Sequence, residues 1–387
     1  MLRLSKPAER CRQHLQHDTR WRPGTASRER PAFRLYFHTL PMRANTNVKL
    51  VALYLLLATS CAGFVQDQNK SAAKSEIATP AGVGVMWADP GEIAGKNLLY
   101  GSGGEKGQPH PPFTFVEEDT KGSNAKFDVR DAEGEKWKVK LGIEARPETV
   151  ATRLLWAIGY FTEEDYLLPE IKVENLPAQL HRGQEFVKAG GIFQNARLKR
   201  HPKHAEKDGD WQWRKNPFTG TRALNGLRVL MALFNNWDVK DENNAIYVDK
   251  ETGKQMYLVS DLGASCGTIG YRLGAGRGKG AIGAYKHSKF ISHVHKHKQT
   301  VDFATPAHST VLGVLGLFSI PNFVTRMQLR WIGRDIPLAD ARWVGGLLSR
   351  LRPGQIEDAF RAAGYSDKDV RTYSEVVEKR IEKLGKL

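Results

Sequence analysis

Three short runs of alternating apolar and polar residues, separated by polar turns, constrain the fold of this chain more than any other feature of its sequence. The runs are FTFVEE (113–118), KFDVRD (126–131) and KWKVKLG (136–142). Alternation places successive side chains on opposite faces of a strand, and turns this short join antiparallel neighbours. The sequence therefore predicts a three-stranded meander with one apolar face.

A helix should follow directly after the meander. Pro147 suits its first position, Glu148 suits its positive end, and apolar residues recur at helical spacing from Val150. Residues 166–200 then predict short strands, and residues 200–216 predict a polar loop. The first part of the fold is therefore expected to be rich in strands.

The second half of the sequence is dominated by helical patterns. Apolar or amphipathic segments recur there at 221–235, 311–320, 338–350, 353–363 and 366–384. The glycine-rich and basic stretch 267–300 predicts a mobile loop among them. The chain is thus predicted to be an α+β protein of two lobes, with a β-rich amino lobe over 111–200 and a mainly helical carboxy lobe over 201–387.

Composition narrows the class of protein further. The chain has 387 residues and a formal net charge of +16, a value that raises nucleic acid or an anionic membrane as a partner. The sequence holds no run of about 18 apolar residues, which excludes a protein that crosses the membrane repeatedly. The three cysteines, Cys11, Cys61 and Cys266, are too few for a disulfide scaffold or a four-cysteine zinc site.

Residues 42–60, with the sequence MRANTNVKLVALYLLLATS, have the order of a secretory signal peptide. Two cations precede an apolar core, and small residues follow it. The end of this segment, LATSC (57–61), resembles a bacterial lipobox. The chain is therefore expected to be exported to the periplasm or outer membrane as a lipoprotein anchored at Cys61. Ordinary cleavage after Ala62, followed by secretion, is the first alternative, and a buried apolar helix is the second.

A signal peptide that begins at Met42 makes residues 1–41 an upstream extension that is not native to the protein. They carry nine Lys/Arg and three Asp/Glu, and a basic tail that binds nucleic acid or a membrane is the alternative. Residues 61–110, rich in Gly, Ser, Ala, Lys and Pro, predict a tether or linker. Removal of residues 1–60 leaves a net charge of about +8, so nucleic acid is not expected as a partner of the mature chain.

Two polar motifs lie at the predicted junction of the lobes. One is DVKDEN (238–243), directly after an apolar helix, and the other is DLG (261–263), at the end of the second of two strands. In this order and context the chain resembles the protein-kinase-like superfamily, in which Asp-x-Lys-x-x-Asn is followed two strands later by Asp-Phe-Gly. The resemblance covers about residues 112–265 and implies a bilobal kinase-like fold.

The resemblance implies a phosphotransferase that uses ATP with Mg²⁺ (or Mn²⁺). It assigns Asp238 to the proton of the acceptor hydroxyl and Lys240 to the transferred phosphate, and it assigns Asn243 and Asp261 to the metal. These residue types suit phosphoryl transfer, because the transferred group carries dispersed negative charge and catalysis consists mainly of positioning and metal electrostatics.

The family also pairs a lysine of the third strand with a glutamate of the next helix to bind the nucleotide. Lys140 and Glu148 occupy those two places in this sequence. Lys138 lies on the same face of the strand and is the alternative lysine, and Glu144 is the alternative acid. Each of these residues is also commonplace as an exposed strand lysine or a helix-start acid.

The turn between the first two strands covers the nucleotide phosphates in the family. Here it contains Lys121, Gly122 and Ser123 in place of a glycine-rich loop, which is more similar to lipid-kinase-like and other atypical members. Backbone N–H groups and Lys121 would cradle the phosphates. A plain hairpin turn is the alternative.

Several residues depart from the protein-kinase pattern or suggest other sites. Asn236 and Trp237 replace the usual His-Arg, Leu262 replaces Phe, and no Ala-Pro-Glu marker follows. The run His-x-His-x-His (293–297) has a spacing that could bind zinc on a strand, but the flanking lysines favour a solvated basic loop. Cys266 is expected to be a small buried residue.

The sequence thus predicts an exported or lipid-anchored kinase-like phosphotransferase whose acceptor, a protein, a lipid or a glycan, is left open. The alternative is a catalytically inactive kinase-like envelope lipoprotein that acts as a binding or scaffold protein, since ATP is scarce outside the cytoplasm. The phosphotransferase requires that five residues converge on one cleft: Lys140, Glu148, Asp238, Asn243 and Asp261.

Overall fold

The computed structural model describes residues 84–120, 124–267, 280–305 and 329–387. The predicted upstream extension and signal peptide lie outside these ranges, as do Cys61 and the apolar segment 311–320. The predicted phosphate turn of Lys121, Gly122 and Ser123 also lies outside the described residues. Within the described ranges, no helix is both long enough and apolar enough to cross a membrane.

The segment before the meander is folded onto the rest of the chain. It begins with a two-residue strand, β1 (Gly84–Val85), which pairs in parallel with a strand of the second half of the protein. Ile93 and Leu98 are fully buried in the larger core. The prediction of a tether over 61–110 is therefore wrong for residues 84–110, because apolar side chains spaced among glycines and lysines bury there.

The predicted meander is present and forms part of a closed five-stranded barrel. The barrel strands are β2 (Phe113–Glu118), β3 (Lys126–Arg130), β4 (Lys136–Lys140), β5 (Glu164–Glu174) and β6 (Ile192–Arg200). They follow the order β2-β3-β4-β6-β5, and all neighbours are antiparallel except β2 and β5, which close the barrel in parallel. The region predicted to hold short strands therefore forms two long ones.

Strand alternation sorts the barrel side chains into an apolar interior and a charged exterior. Trp137 and Val139 are buried inside the barrel. Lys138 and Lys140 alternate with them, so their side chains point outward from the barrel. Helix α1 (Ala145–Ala157) follows β4, begins two residues earlier than predicted, and lies against β5 and β6 on this charged exterior.

The carboxy-terminal part is mainly helical, as predicted. The helices of its described residues are α2 (Arg222–Leu233), α3 (Ile282–His287), α4 (Leu338–Leu348), α5 (Pro353–Ala362) and α6 (Asp367–Gly385). Short 3-10 turns lie at Gly101–Gly103, Glu105–Gly107, Gln184–Phe186, Asp241–Asn243 and Arg330–Gly333. The hydroxyl of Thr221 caps α2, and the hydroxyl of Ser366 caps α6, each by accepting a backbone N–H of the first turn.

Two small sheets also lie in the carboxy-terminal part. The first joins β7 (Ala205–Gly209), β8 (Asn244–Asp249) and β9 (Gln255–Val259) to β1 in the order β1-β9-β8-β7. The second consists of β10 (Ile291–His295), β11 (Thr300–Phe303) and β12 (Ile336–Pro337). The predicted loop over 200–216 thus contains a strand.

The predicted mobile loop over 267–300 is likewise structured where the protein is described. Residues 280–300 contain α3, β10 and the start of β11. Val301 and Phe303 of β11 are buried, and they give this basic segment an apolar anchor. The fold class is confirmed as α+β, with strands dominating the first part and helices the second, an arrangement consistent with the bilobal kinase-like fold that the sequence predicts.

Candidate active site

The end of β4 carries a buried lysine surrounded by carboxylates. The Nζ atom of Lys140 lies 2.8 Å from Glu148 Oε2, 2.9 Å from Glu144 Oε2 and 2.9 Å from Asp261 Oδ1. We call these four residues the Lys140 cluster. Burial opposes the charged form, but the carboxylates outweigh burial and raise the pKa of Lys140 above its ordinary value. The ammonium group is therefore held in its charged form.

Local structure explains how the two glutamates reach the lysine. Glu144 is the N-cap residue of α1 and Glu148 lies in its first turn, so the two acids are one helical turn apart on the same face. Glu148 and its alternative Glu144 both contact Lys140. Lys138, the alternative lysine, instead lies 2.7 Å from the carboxylate of Asp119.

The Asp-Leu-Gly motif approaches this cluster closely. Asp261 Oδ1 accepts a hydrogen bond from the Gly263 N–H at 3.1 Å as well as from Lys140. Burial acts to raise the pKa of Asp261, but Lys140 and the Gly263 N–H outweigh it and hold that pKa well below its usual range. A Cβ atom at Gly263 would lie 2.7 Å from Glu144 Cβ and 2.9 Å from Lys140 Nζ, so the position requires glycine for close approach.

The other predicted motif forms an open loop, which we call the Asp238 loop (residues 238–243). Lys240 Nζ lies 3.0 Å from Asp238 Oδ1, and the two side chains are 65% and 24% exposed. Asn243 Nδ2 donates to Asp238 O at 2.6 Å, and Asn236 Oδ1 accepts from the Asp238 N–H at 3.0 Å. The charged side chains of the loop are therefore accessible to solvent. Hydrogen bonds with Asn236 and Asn243 hold its backbone in place.

Backbone hydrogen bonds join the Asp238 loop to the Lys140 cluster. The N–H groups of Ser260 and Asp261 both donate to Asn243 O, at 2.7 Å and 3.1 Å. Asn243 and Asp261, the two predicted metal residues, are thereby neighbours. The structure brings together all five residues that the kinase hypothesis requires: Lys140, Glu148, Asp238, Asn243 and Asp261.

The donor atoms left over at this junction suit a magnesium ion. Asp261 uses one oxygen for Lys140, its side chain is 31% exposed, and its second oxygen has no hydrogen-bond partner among the described residues. Asn243 is bonded through Nδ2, which leaves Oδ1 for a ligand. Mg²⁺ takes oxygen ligands, and proteins bind it through one or two carboxylates together with substrate phosphates. Within the described ranges no three Cys, His, Asp or Glu side chains converge as a metal cluster.

A second cation, Lys199, connects the barrel to the segment before Asp261. The sequence predicts no role for Lys199. Its Nζ atom lies 2.5 Å from Glu163 Oε2 and 2.8 Å from Ser260 O. Ser260 Oγ donates to Glu163 Oε2 at 2.7 Å, and the Tyr247 hydroxyl donates to Glu163 Oε1 at 2.5 Å. Burial opposes ionisation of Glu163, but these partners outweigh it and lower its pKa. The residue before Asp261 is thus fixed to the barrel.

The alternation of apolar and charged residues along β6 could have predicted from the sequence that Lys199 lies beside the site. On β6, Leu198 is buried inside the barrel, so Arg197 and Lys199 leave the outer face beside α1. Arg197 Nη2 lies 3.2 Å from Glu148 Oε1, and Lys199 Nζ lies 4.0 Å from the same atom. Three cations therefore surround Glu148, since Lys140 contacts its other oxygen.

The other candidates from the sequence have structural surroundings of their own. His293 and His295 lie on β10, which pairs with β11, so the prediction of a loop is wrong for these two residues, although His293 is exposed to solvent as predicted. His295 Nε2 lies 3.2 Å from Asp302 Oδ2. Cys266 is fully buried, as predicted.

Comparisons with known proteins find similarity among solved structures. No protein-family model and no curated protein matches the chain. The chain is similar to the crystal structure of a Helicobacter pylori proinflammatory kinase, CtkA, with a TM-score of 0.38 and 11% sequence identity. The similarity covers 71% of this chain and 97% of that chain. With a similarity this low, function has to be inferred from the residues of this chain.

Proposed function

We propose that this protein is a kinase-like phosphotransferase that uses ATP with Mg²⁺ (or Mn²⁺). The observation that supports this most strongly is the contact of Lys140 with both Glu148 and Asp261. These three side chains come from a strand, a helix and a loop, and two of them are almost fully buried. Buried charges are costly to desolvate, and such clusters of ionised groups in a cleft concentrate at functional sites.

The proposed reaction transfers the terminal phosphoryl group of ATP to a hydroxyl group. The acceptor oxygen attacks the γ-phosphorus, the bond from that phosphorus to the β–γ bridging oxygen breaks, and ADP leaves with the electron pair. Asp238 takes the proton of the acceptor hydroxyl. Lys240, which lies beside Asp238, faces the transferred phosphate.

The remaining residues hold the reactants in place. Asn243 and Asp261 would hold the metal ion, which neutralises phosphate charge when it is bound. Lys140 and the Gly263 N–H hold one oxygen of Asp261 and leave the other for this role. Glu148 and Glu144 keep Lys140 charged and fix its position.

Calorimetric titration of Mg-ATP into the wild-type protein and the Asp261→Asn variant tests the proposal. We expect the wild-type protein to bind Mg-ATP and the variant to lose the metal-dependent part of the affinity. The matched control is Asp302→Asn, because Asp302 is also an aspartate in an ion pair, with Arg334, but lies on β11. A wild-type protein that does not bind Mg-ATP contradicts the proposal.

Measurement of turnover separates the enzyme from the alternative function. ADP release and transfer of labelled γ-phosphate to protein, lipid or glycan fractions identify a phosphotransferase and the class of its acceptor. Binding of Mg-ATP with no turnover in any fraction would favour a catalytically inactive kinase-like scaffold.

We also propose that the protein is exported and anchored to a membrane through Cys61. The support is the order of residues 42–60, with cations, an apolar core and small residues before Cys61. In a bacterial host, labelled fatty acid should be incorporated into the wild-type protein but not into the Cys61→Ala variant. Recovery of unlabelled wild-type protein from the cytoplasm would contradict this proposal.

A further inference from the structure

The Lys140 side chain has no hydrogen-bond donor to spare. An ammonium group has three N–H donors. In the structure three carboxylates surround Lys140 Nζ at 2.8–2.9 Å, those of Glu144, Glu148 and Asp261. While these contacts hold, Lys140 can position Asp261 but cannot also donate to a nucleotide phosphate. While Lys140 is held in this way, the phosphates that Lys240 does not face need a cation other than Lys140.

Three other lysines on the outer face of the barrel, Lys136, Lys138 and Lys199, are also neutralised. Lys136 Nζ lies 2.9 Å from Glu117 and 2.8 Å from Asp128. Lys138 Nζ lies 2.7 Å from Asp119. Lys199 Nζ lies 2.5 Å from Glu163. Each of these cations has an anionic partner of its own within the protein.

Lys126 differs from them. It is the first residue of β3 and is paired directly with Lys140 across the ladder, so both side chains leave the same face. The next residue, Phe127, is buried in the barrel, which confirms the direction of Lys126. Lys126 is half-buried, and no carboxylate of the described residues lies within ion-pair distance of it.

The electrostatic surroundings of Lys126 favour an additional anion. Burial and then the charge of Lys140 lower the pKa of Lys126, and the more distant Asp119 and Asp261 only partly oppose this. Those two acids are already bound to Lys138 and Lys140. A cation that is partly withdrawn from water beside another cation is unfavourable until an anion joins it.

We propose that Lys126 binds phosphate groups of the nucleotide beside the Lys140 cluster, in addition to the contact of Lys240 with the transferred phosphate. The inference rests on the proposed function, because it takes the ligand to be a nucleoside polyphosphate. It divides the work of the two cross-strand lysines: Lys140 orients Asp261, and Lys126 contacts the phosphates.

Titration of Mg-ATP, Mg-ADP and adenosine into the wild-type protein and the Lys126→Met variant tests this division. A hydrogen bond between charged groups suggests a loss of roughly 10- to 100-fold in ATP affinity, a smaller loss for ADP and no change for adenosine. Lys126→Arg should retain part of the affinity. Lys136→Met is the matched control, because it makes the same change on an adjacent strand at a residue whose charge is already neutralised.

A measurement on the wild-type protein makes the test independent of how the variants fold. Acetic anhydride labels accessible lysine amines, and mass spectrometry reports the labelling of each residue. We expect Mg-ATP, but not adenosine, to protect Lys126 and to leave Lys136 unprotected. Unchanged labelling of Lys126, or equal affinity of Lys126→Met and wild type for Mg-ATP, overturns the inference and leaves the proposed function standing. Failure of the wild-type protein to bind Mg-ATP overturns both.

Discussion

The Lys140 cluster and the Asp238 loop each contain a lysine beside an aspartate, yet their surroundings are opposite. Lys140 lies 2.9 Å from Asp261, and its side chain is 1% exposed. Lys240 lies 3.0 Å from Asp238, and its side chain is 65% exposed. Because the two distances are nearly equal, the two ion pairs differ mainly in how far solvent reaches the lysine.

Solvent exposure decides what each pair can do. An exposed ion pair contributes only about 0–1 kcal/mol, so Lys240 can leave Asp238 for a phosphate at little cost. Removal of one partner from a buried pair costs about 3–5 kcal/mol, so Lys140 stays with its carboxylates. The comparison indicates that the Lys140 cluster positions the proposed site and that the Asp238 loop reacts.

The Asp238→Asn substitution should have the largest effect, and on rate alone. Loss of a general base reduces catalysis by roughly 10²–10⁴-fold. Asp238 is partly exposed and the change preserves its shape, so the melting temperature should stay close to that of the wild-type protein. Initial rates with γ-labelled ATP and a thermal melt check both expectations. Asp241→Asn in the same loop is the control, and an undiminished rate in Asp238→Asn would remove Asp238 from the reaction.

The Lys140→Met substitution should have the largest effect on stability. It leaves Glu144, Glu148 and Asp261 without their shared cation, which should lower the free energy of unfolding by about 3–5 kcal/mol. Lys240→Met, the matched change in the exposed pair, should cost about 0–1 kcal/mol. Urea titrations of both variants measure the difference. Equal losses of stability would show that burial does not distinguish the two pairs.

The Gly263→Ala substitution should disturb the Lys140 cluster by crowding. The added methyl group would lie 2.7 Å from Glu144 Cβ and 2.9 Å from Lys140 Nζ. Overpacking of this kind costs about 1–3 kcal/mol and should also weaken Mg-ATP binding by displacing Asp261. Gly346→Ala is the control, because a methyl group there meets no atom within 4 Å. A Gly263→Ala protein as stable and as tight-binding as wild type would contradict the close approach.

The Ser260→Ala substitution should have the smallest effect. It removes the hydroxyl that donates to Glu163 and accepts from Lys199, although the Ser260 backbone contact with Lys199 remains. A net loss of about 0.5–1.5 kcal/mol is expected from a hydrogen bond of this kind. Denaturant titration measures this loss. A loss above that of Gly263→Ala would contradict this order of effects.

The parts of the site that the sequence predicted are those encoded by local spacing. Lys140 ends a strand with clear alternation, and Glu148 begins the helix that follows it, so the pair that the family resemblance implies could be placed on these two residues. The motifs at Asp238 and Asp261 follow an apolar helix and a strand, elements whose existence composition and periodicity reveal.

The missed contacts depend on strand register between distant parts of the chain. Lys199 reaches Glu163 and Ser260 only because β6 lies between β4 and β5 in the barrel, an order that short-range patterns do not specify. The glycine-rich composition of residues 84–110 predicts a tether, yet Ile93 and Leu98 are buried in the core. Packing overrides composition in that segment.

The central claim is that the Lys140 cluster and the Asp238 loop form one metal–nucleotide site. Anomalous diffraction from crystals grown with Mn²⁺ and a non-hydrolysable ATP analogue tests this claim most directly, because it locates the metal and the phosphates together. We predict an Mn²⁺ peak within coordination distance of the Asp261 carboxylate and Asn243 Oδ1, with the terminal phosphate facing Asp238. A metal–nucleotide complex bound elsewhere on the protein, or crystals that take up none at saturating concentration, would contradict the claim.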